Sequence, residues 1–183
     1  MNPTDVASAL VDADTRQSVE EVLELTHPEA ADLFRERQLR ALRDATWDEL
    51  KYRAGPRAKR LRAAVKQNRD YVLGSAYRVS SLDELRALPP MELLRRRLAE
   101  AYRAVTPALK MHISVIGGLS LDTDTQYVVL ERRDRVAHPR PLRVEVMTVR
   151  RDGPAWRSMV DGGLQGGGLF ALGVENNGLS LPL

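Results

Sequence analysis

The chain has 183 residues, with 29% charged and 43% hydrophobic side chains, a net charge of +3 and no Cys. That length suits one domain with a sizeable core, and the lack of Cys excludes disulfides, thiolate zinc sites and cysteine nucleophiles together. No basic segment followed by an apolar run opens the chain and no apolar stretch of about 18 residues occurs, so a cytoplasmic protein without a membrane span is expected.

Only four of the 28 basic residues are Lys; an Arg bias on this scale reflects a GC-rich genome more simply than an Arg-specific site. The first 105 residues read as mostly helical. A helix is expected over about Thr15–Leu25, burying Val19, Val22 and Leu23, and a second over Pro28–Arg43, burying Ala31, Phe34, Leu39 and Leu42. Arg35, Arg37, Arg40 and Arg43 fall mostly on the side away from Phe34, a solvated face. Three capping boxes of the S/T-x-x-E kind mark helix starts: Thr26 to Glu29, Thr46 to Glu49 and Ser81 to Glu84. Pro56 opens a third helix that runs to Val72, since a helix start loses nothing by lacking that N–H. Tyr71–Val79 suits either a strand or a helix end, because Gly74 and Ser75 interrupt both patterns. A brief helix, Leu82–Leu88, stops at Pro89-Pro90, and a longer one, Met91–Val105, places Leu94, Leu98, Ala101 and Tyr102 on one stripe.

From Met111 the period changes from 3.6 to 2. Four strands are expected: Met111–Leu119, Thr125–Arg135, Leu142–Arg151 and Ala155–Asp161. They are rich in Val, Ile, Thr, Tyr and Met, as a pleated surface requires. Asp122-Thr123-Asp124 and Asp152-Gly153-Pro154 have turn composition. Helices first and strands after predict an α+β fold, with N-terminal helices packed on a curved C-terminal antiparallel sheet. Tyr127 and Val129 alternate with Val128 and Leu130, and Val144 and Val146 alternate with Met147 and Val149. Both faces are therefore apolar, and both need a cover. The expected organisation is one domain over residues 1–161, followed by a Gly-rich apolar tail over 162–183.

Helices followed by strands reading TQYVVLERR, LRVEVMTVRRDG and AWRSMVD resemble the NTF2-like superfamily of cone-shaped α+β barrels. In that superfamily a strand ending in a basic residue and Asp-Gly leads into a Trp-containing last strand, which VRRDGPAWRSMV is similar to. Residues 47–79 are longer and more helical than the family pattern, and the tail is extra. The resemblance implies a pocket between sheet and helices, lined here by Tyr102, Tyr127, Trp156, His112 and Asp161. Members range from isomerases, cyclases and dehydratases to domains without catalysis, so the fold alone does not decide the chemistry.

No spacing among those five residues specifies a catalytic set, and none is assigned. His27, His112 and His138 lack ligand spacing, which argues against a metal site, and no cofactor is expected. Arg53–Arg69 and Arg95-Arg96-Arg97 are basic enough to meet a phosphate backbone. They lack interleaved aromatics and any helix-turn-helix pattern, so a solvated face is favoured over nucleic-acid binding. The run from Gly162 to Gly168 lacks the Gly-Lys-Ser/Thr ending of a phosphate loop, and Leu169, Phe170 and Leu172 make the segment after it too apolar for an inert linker. The reading that results is a non-catalytic ligand-binding or assembly module, homodimeric through its sheet face. The alternatives are an isomerase or cyclase for a small hydrophobic substrate and, third, a basic nucleic-acid binder.

Overall fold

The computed structural model describes residues 1–44, 70–104, 112–133 and 143–159. Five α-helices and a π-helical turn precede four strands among these residues. The strands form one antiparallel sheet in the order β1 (His112–Ser120), β2 (Thr125–Arg133), β3 (Arg143–Asp152), β4 (Ala155–Ser158). The fold is α+β as expected, and the described sheet is open, not closed into a barrel.

The helix that covers the sheet lies outside the helices expected from the sequence. Helix α1 (Pro3–Arg16) starts at a capping box in which Asn2 Oδ1 accepts from the Asp5 N–H at 2.9 Å and Asp5 Oδ2 accepts from the Asn2 N–H at 3.1 Å. Pro3 at the first helical position needs no partner for its nitrogen. Its buried stripe, Val6, Ala7, Leu10, Val11 and Ala13, lies across the sheet and meets all four strands. The helix expected over Thr15–Leu25 is instead two. Gln17 takes the left-handed conformation at φ 60°, and the N–H of Ser18 bonds the carbonyl of Ala13 at 2.9 Å, which closes α1. Helix α2 (Val19–Glu24) then buries Val22 and Leu23.

Helix α3 (Pro28–Asp44) has His27 before it, and the His27 Nδ1 accepts from the Glu29 N–H at 3.2 Å. Thr26, expected as the cap, turns its hydroxyl back to the Val22 carbonyl at 2.7 Å. Pro28 at the first helical position fixes the boundary one residue later than the capping-box pattern suggested. The box at Ser81 forms: its Oγ accepts from the Glu84 N–H at 3.1 Å and opens α4 (Leu82–Ala87). The Glu84 side chain reaches the Ser80 N–H instead of the Ser81 one, at 2.8 Å. Helix α5 (Pro90–Ala104) buries Leu93, Leu94, Leu98, Ala101 and Tyr102.

Tyr71–Val79 is the end of a helix and not a strand. Residues 70–72 are helical and pass into a π-helical turn, Leu73–Tyr77, that ends at Arg78 with φ 54°. The wider turn shifts the helical phase and buries Leu73, Ala76 and Tyr77 together, which explains why neither period fits. Tyr77 donates to Gln38 Oε1 at 2.7 Å, and Arg96 donates to the Tyr77 carbonyl at 2.8 Å, so α3 and α5 both hold the turn. The capping box at Thr46, most of the helix from Pro56 and the basic stretch Arg53–Arg69 lie outside the described residues. Of the other basic cluster, Arg95 pairs with Glu20 at 2.7 Å and Arg96 with Glu92 at 2.8 Å, contacts that tie α5 to α2 and to itself. No described helix is long and apolar enough to cross a membrane.

Candidate functional site

The sheet register sorts its side chains into two sets. Val128 pairs with Met147, and both are buried with Leu130, Val149 and Ile113 beneath the helices. The opposite face carries Tyr127 and Val129 from β2 and Val144 and Val146 from β3, with Val129 opposite Val146. The two-faced apolar pattern read from the sequence is therefore real, and among the described residues only one face is covered by helices.

A bulge in β1 adds to the open face. Val115 pairs with Leu130 and Gly117 with Val129, which leaves Ile116 as an extra residue. Its insertion reverses the alternation of β1. Gly118 then faces the start of α1, where a Cβ would sit 3.4 Å from Thr4 Cγ2, and Leu119 is turned to the open face opposite Tyr127. Ile116 is 58% exposed, Leu119 65%, Val146 52% and Val144 41%. Simple alternation misses this, because an inserted residue leaves no mark on the composition of the strand.

Four of the five predicted pocket residues are described, and they lie on different elements. Tyr102 is buried in the helical layer, where its hydroxyl donates to Asp14 Oδ1 at 2.6 Å. Burial, then the adjacent Asp14 carboxylate, pushes its phenol far above the ordinary tyrosine range. Tyr127 is half-buried on the open face of the sheet. Trp156 lies near the β3–β4 turn, with the Arg151 guanidinium stacked 4.8 Å from its ring centre. His112 opens β1 opposite Arg133, and Asp161 falls outside the described residues. Asp14, which the sequence pattern did not single out, is the acid that meets a predicted aromatic. Its signal was a lone carboxylate in the apolar stripe of an N-terminal helix, one turn beyond Leu10.

The Asp14–Tyr102 contact joins α1 to α5 within the core, so in this position it positions two helices. Tyr77 is similarly enclosed; burial raises its phenol, and the nearby Arg97 charge opposes that shift. Among the described residues no cluster of three His, Cys, Asp or Glu side chains is placed to hold a metal ion. Among the described residues, the open sheet face around the Gly117–Val129–Val146 row gathers several exposed apolar side chains, Ile116, Leu119, Val144 and Val146. No family model, curated protein or solved structure matches the chain.

Proposed function

We propose that this chain is a non-catalytic assembly or ligand-binding module of NTF2-like arrangement that self-associates through the open face of its sheet. The observation that carries this reading is the exposure of Ile116, Leu119, Val144 and Val146 around Tyr127 and Val129. Scattered apolar residues are normal on a surface, but a contiguous set on a flat sheet is characteristic of an interaction site. Three strands of this length present roughly 30 Å by 15 Å, or about 450 Å² of flat area per copy. Two such faces together bury about 900 Å² before side-chain relief is counted, near the lower limit for a specific interface. A two-fold dimer is the simplest closed solution, since one patch then covers its own copy.

The catalytic alternative needs an acid and aromatic groups gathered around a cavity. Here the acid–aromatic contact is a packed joint between helices, while Tyr127 and Trp156 stand elsewhere. A homodimer of modest affinity, with a small hydrophobic ligand as a second occupant of the same apolar surface, is the reading these placements support.

Sedimentation equilibrium of the full chain tests it. We expect dimer to accumulate at about 10–100 μM, as a small interface implies. Val146→Glu or Leu119→Glu, each at an exposed site and nearly neutral for folding, shifts the population to monomer. A wild-type chain that stays monomeric throughout that range overturns the reading.

A further inference from the structure

The sheet edge at β4 is covered along only part of its length by described residues. Its C-terminal end is covered by the α2–α3 connection: the Ser158 N–H donates to the Leu25 carbonyl at 2.7 Å, and the Ser158 carbonyl accepts from the His27 N–H at 2.8 Å. This is one bridge of a parallel pair, Thr26 with Ser158. Two residues earlier the cover has gone, because the chain before Leu25 is coiled into α2 and the Leu25 N–H bonds back to Glu21 at 3.2 Å.

Hydrogen-bond alternation then fixes where the Trp156 backbone points. In β3–β4 the Met159 N–H bonds Thr148 at 2.8 Å, while Arg151, opposite Trp156, sends its N–H to Asp124 in the other direction at 2.9 Å. Arg151–Trp156 is therefore a wide pair, and the Trp156 N–H and C=O face the free side of the strand, as those of Ser158 do. No described residue bonds them. They border an open groove of about 500 Å³ walled by Leu25, Pro154, Ala155 and Trp156. Glu24 stands on its rim, with no described cation within ion-pair distance of its carboxylate. Met1 also lines the groove, and the other charged side chain there, Arg157, is engaged: it lies 2.8 Å from the Asp152 carboxylate and donates to the Glu24 carbonyl.

We propose that this groove binds an extended peptide segment that presents an apolar side chain next to a basic one. The peptide backbone exchanges two hydrogen bonds with Trp156 and so extends the edge where the chain's own connection stops. The apolar side chain fills the groove beside Leu25 and Trp156, and the basic one meets Glu24. The ligand is short by construction, since the β3–β4 turn bounds the edge at Pro154 and the Leu25–His27 segment bounds it at Ser158. The groove lies on the helix side of β4, so this site does not depend on self-association through the open face.

The test is an amide NMR titration of the full chain with acetyl-Arg-Val-Leu-Val-Arg-amide. Saturable shifts are expected at Leu25, Ala155 and Trp156. N-methylation of the central Leu removes one backbone donor and should weaken binding about five-fold, the value of one hydrogen bond. Glu24→Gln should weaken it about two- to five-fold, with a smaller salt dependence than wild type. Absence of saturable shifts at these amides with millimolar peptide overturns the proposal. So does equal affinity of the methylated and unmethylated peptides, which would mean that the groove takes an apolar side chain without reading the backbone.

Discussion

Tyr102 and Asp14 set the chemistry of the core at the scale of single residues. A phenol that donates to a buried carboxylate at 2.6 Å pairs two polar groups that the core takes out of water. Tyr102→Phe keeps the ring and deletes the donor, so the fold should lose about 2 kcal/mol, measured by urea denaturation. The same contact predicts an alkaline limit. Both Tyr77 and Tyr102 have phenols raised above the ordinary value, mainly by burial. A raised folded value means that their contribution is complete below the unfolded value near pH 10 and declines as pH rises above it. Phenolate absorbance should therefore show these two of the five tyrosines ionising only as the chain unfolds. Smooth titration of all five in the folded protein would contradict the packing described. Of this arrangement the sequence revealed Tyr102 as a helix-stripe aromatic, but not its partner. Eighty-eight residues separate the two, and no local pattern links them.

At the scale of elements, the strands and turns were legible because they depend on neighbours in sequence. The period-2 alternation, the Asp-rich turn and the Gly153 turn at φ 59° all act within a few residues. Helix α1 was equally local, yet its capping box uses Asn and Asp where a search for Ser/Thr and Glu finds nothing. Its stripe is also diluted by Ala7 and Ala13, small residues that weaken the apolar period while letting the helix approach the sheet. The bulge at Ile116 and the π-helical turn at Leu73–Tyr77 lay beyond pattern reading for a different reason. Each adds a residue to a repeat, so the period on either side stays correct while the phase between them is lost. The importance of α1 gives a direct prediction. Leu10 is fully buried between the sheet and the other helices, and Leu10→Ala should cost about 3 kcal/mol in urea denaturation. A loss under about 1 kcal/mol, on the scale of an exposed site, would mean that α1 does not cover the sheet as a fixed element.

For the whole molecule, the balance between a covered and an open face decides how stability should depend on concentration. The helical layer buries Ile113, Val128, Leu130, Met147 and Val149 on one face of the sheet. If a second copy closes the other face, as proposed, folding and association become linked equilibria. Once dimer dominates, each tenfold rise in concentration adds about 1.4 kcal/mol per dimer, or about 0.7 kcal/mol per chain. For a chain of this size that raises the melting temperature by about 2 °C. At low micromolar concentration, where a small interface is mostly dissociated, the melting temperature should be flat. Val146→Glu should stay flat at every concentration, because it removes association and leaves the core intact. Leu10→Ala should lower the whole curve without changing its slope, because it damages the core and leaves the open face alone. The apolar segment 162–183 lies outside the described residues, and a chain ending at Met159 separates its influence from that of the sheet. If the open face of the sheet is the interface, the shortened chain keeps the concentration dependence. A slope that vanishes on shortening, with the wild-type slope present, would move the interface away from the sheet and onto the terminal segment.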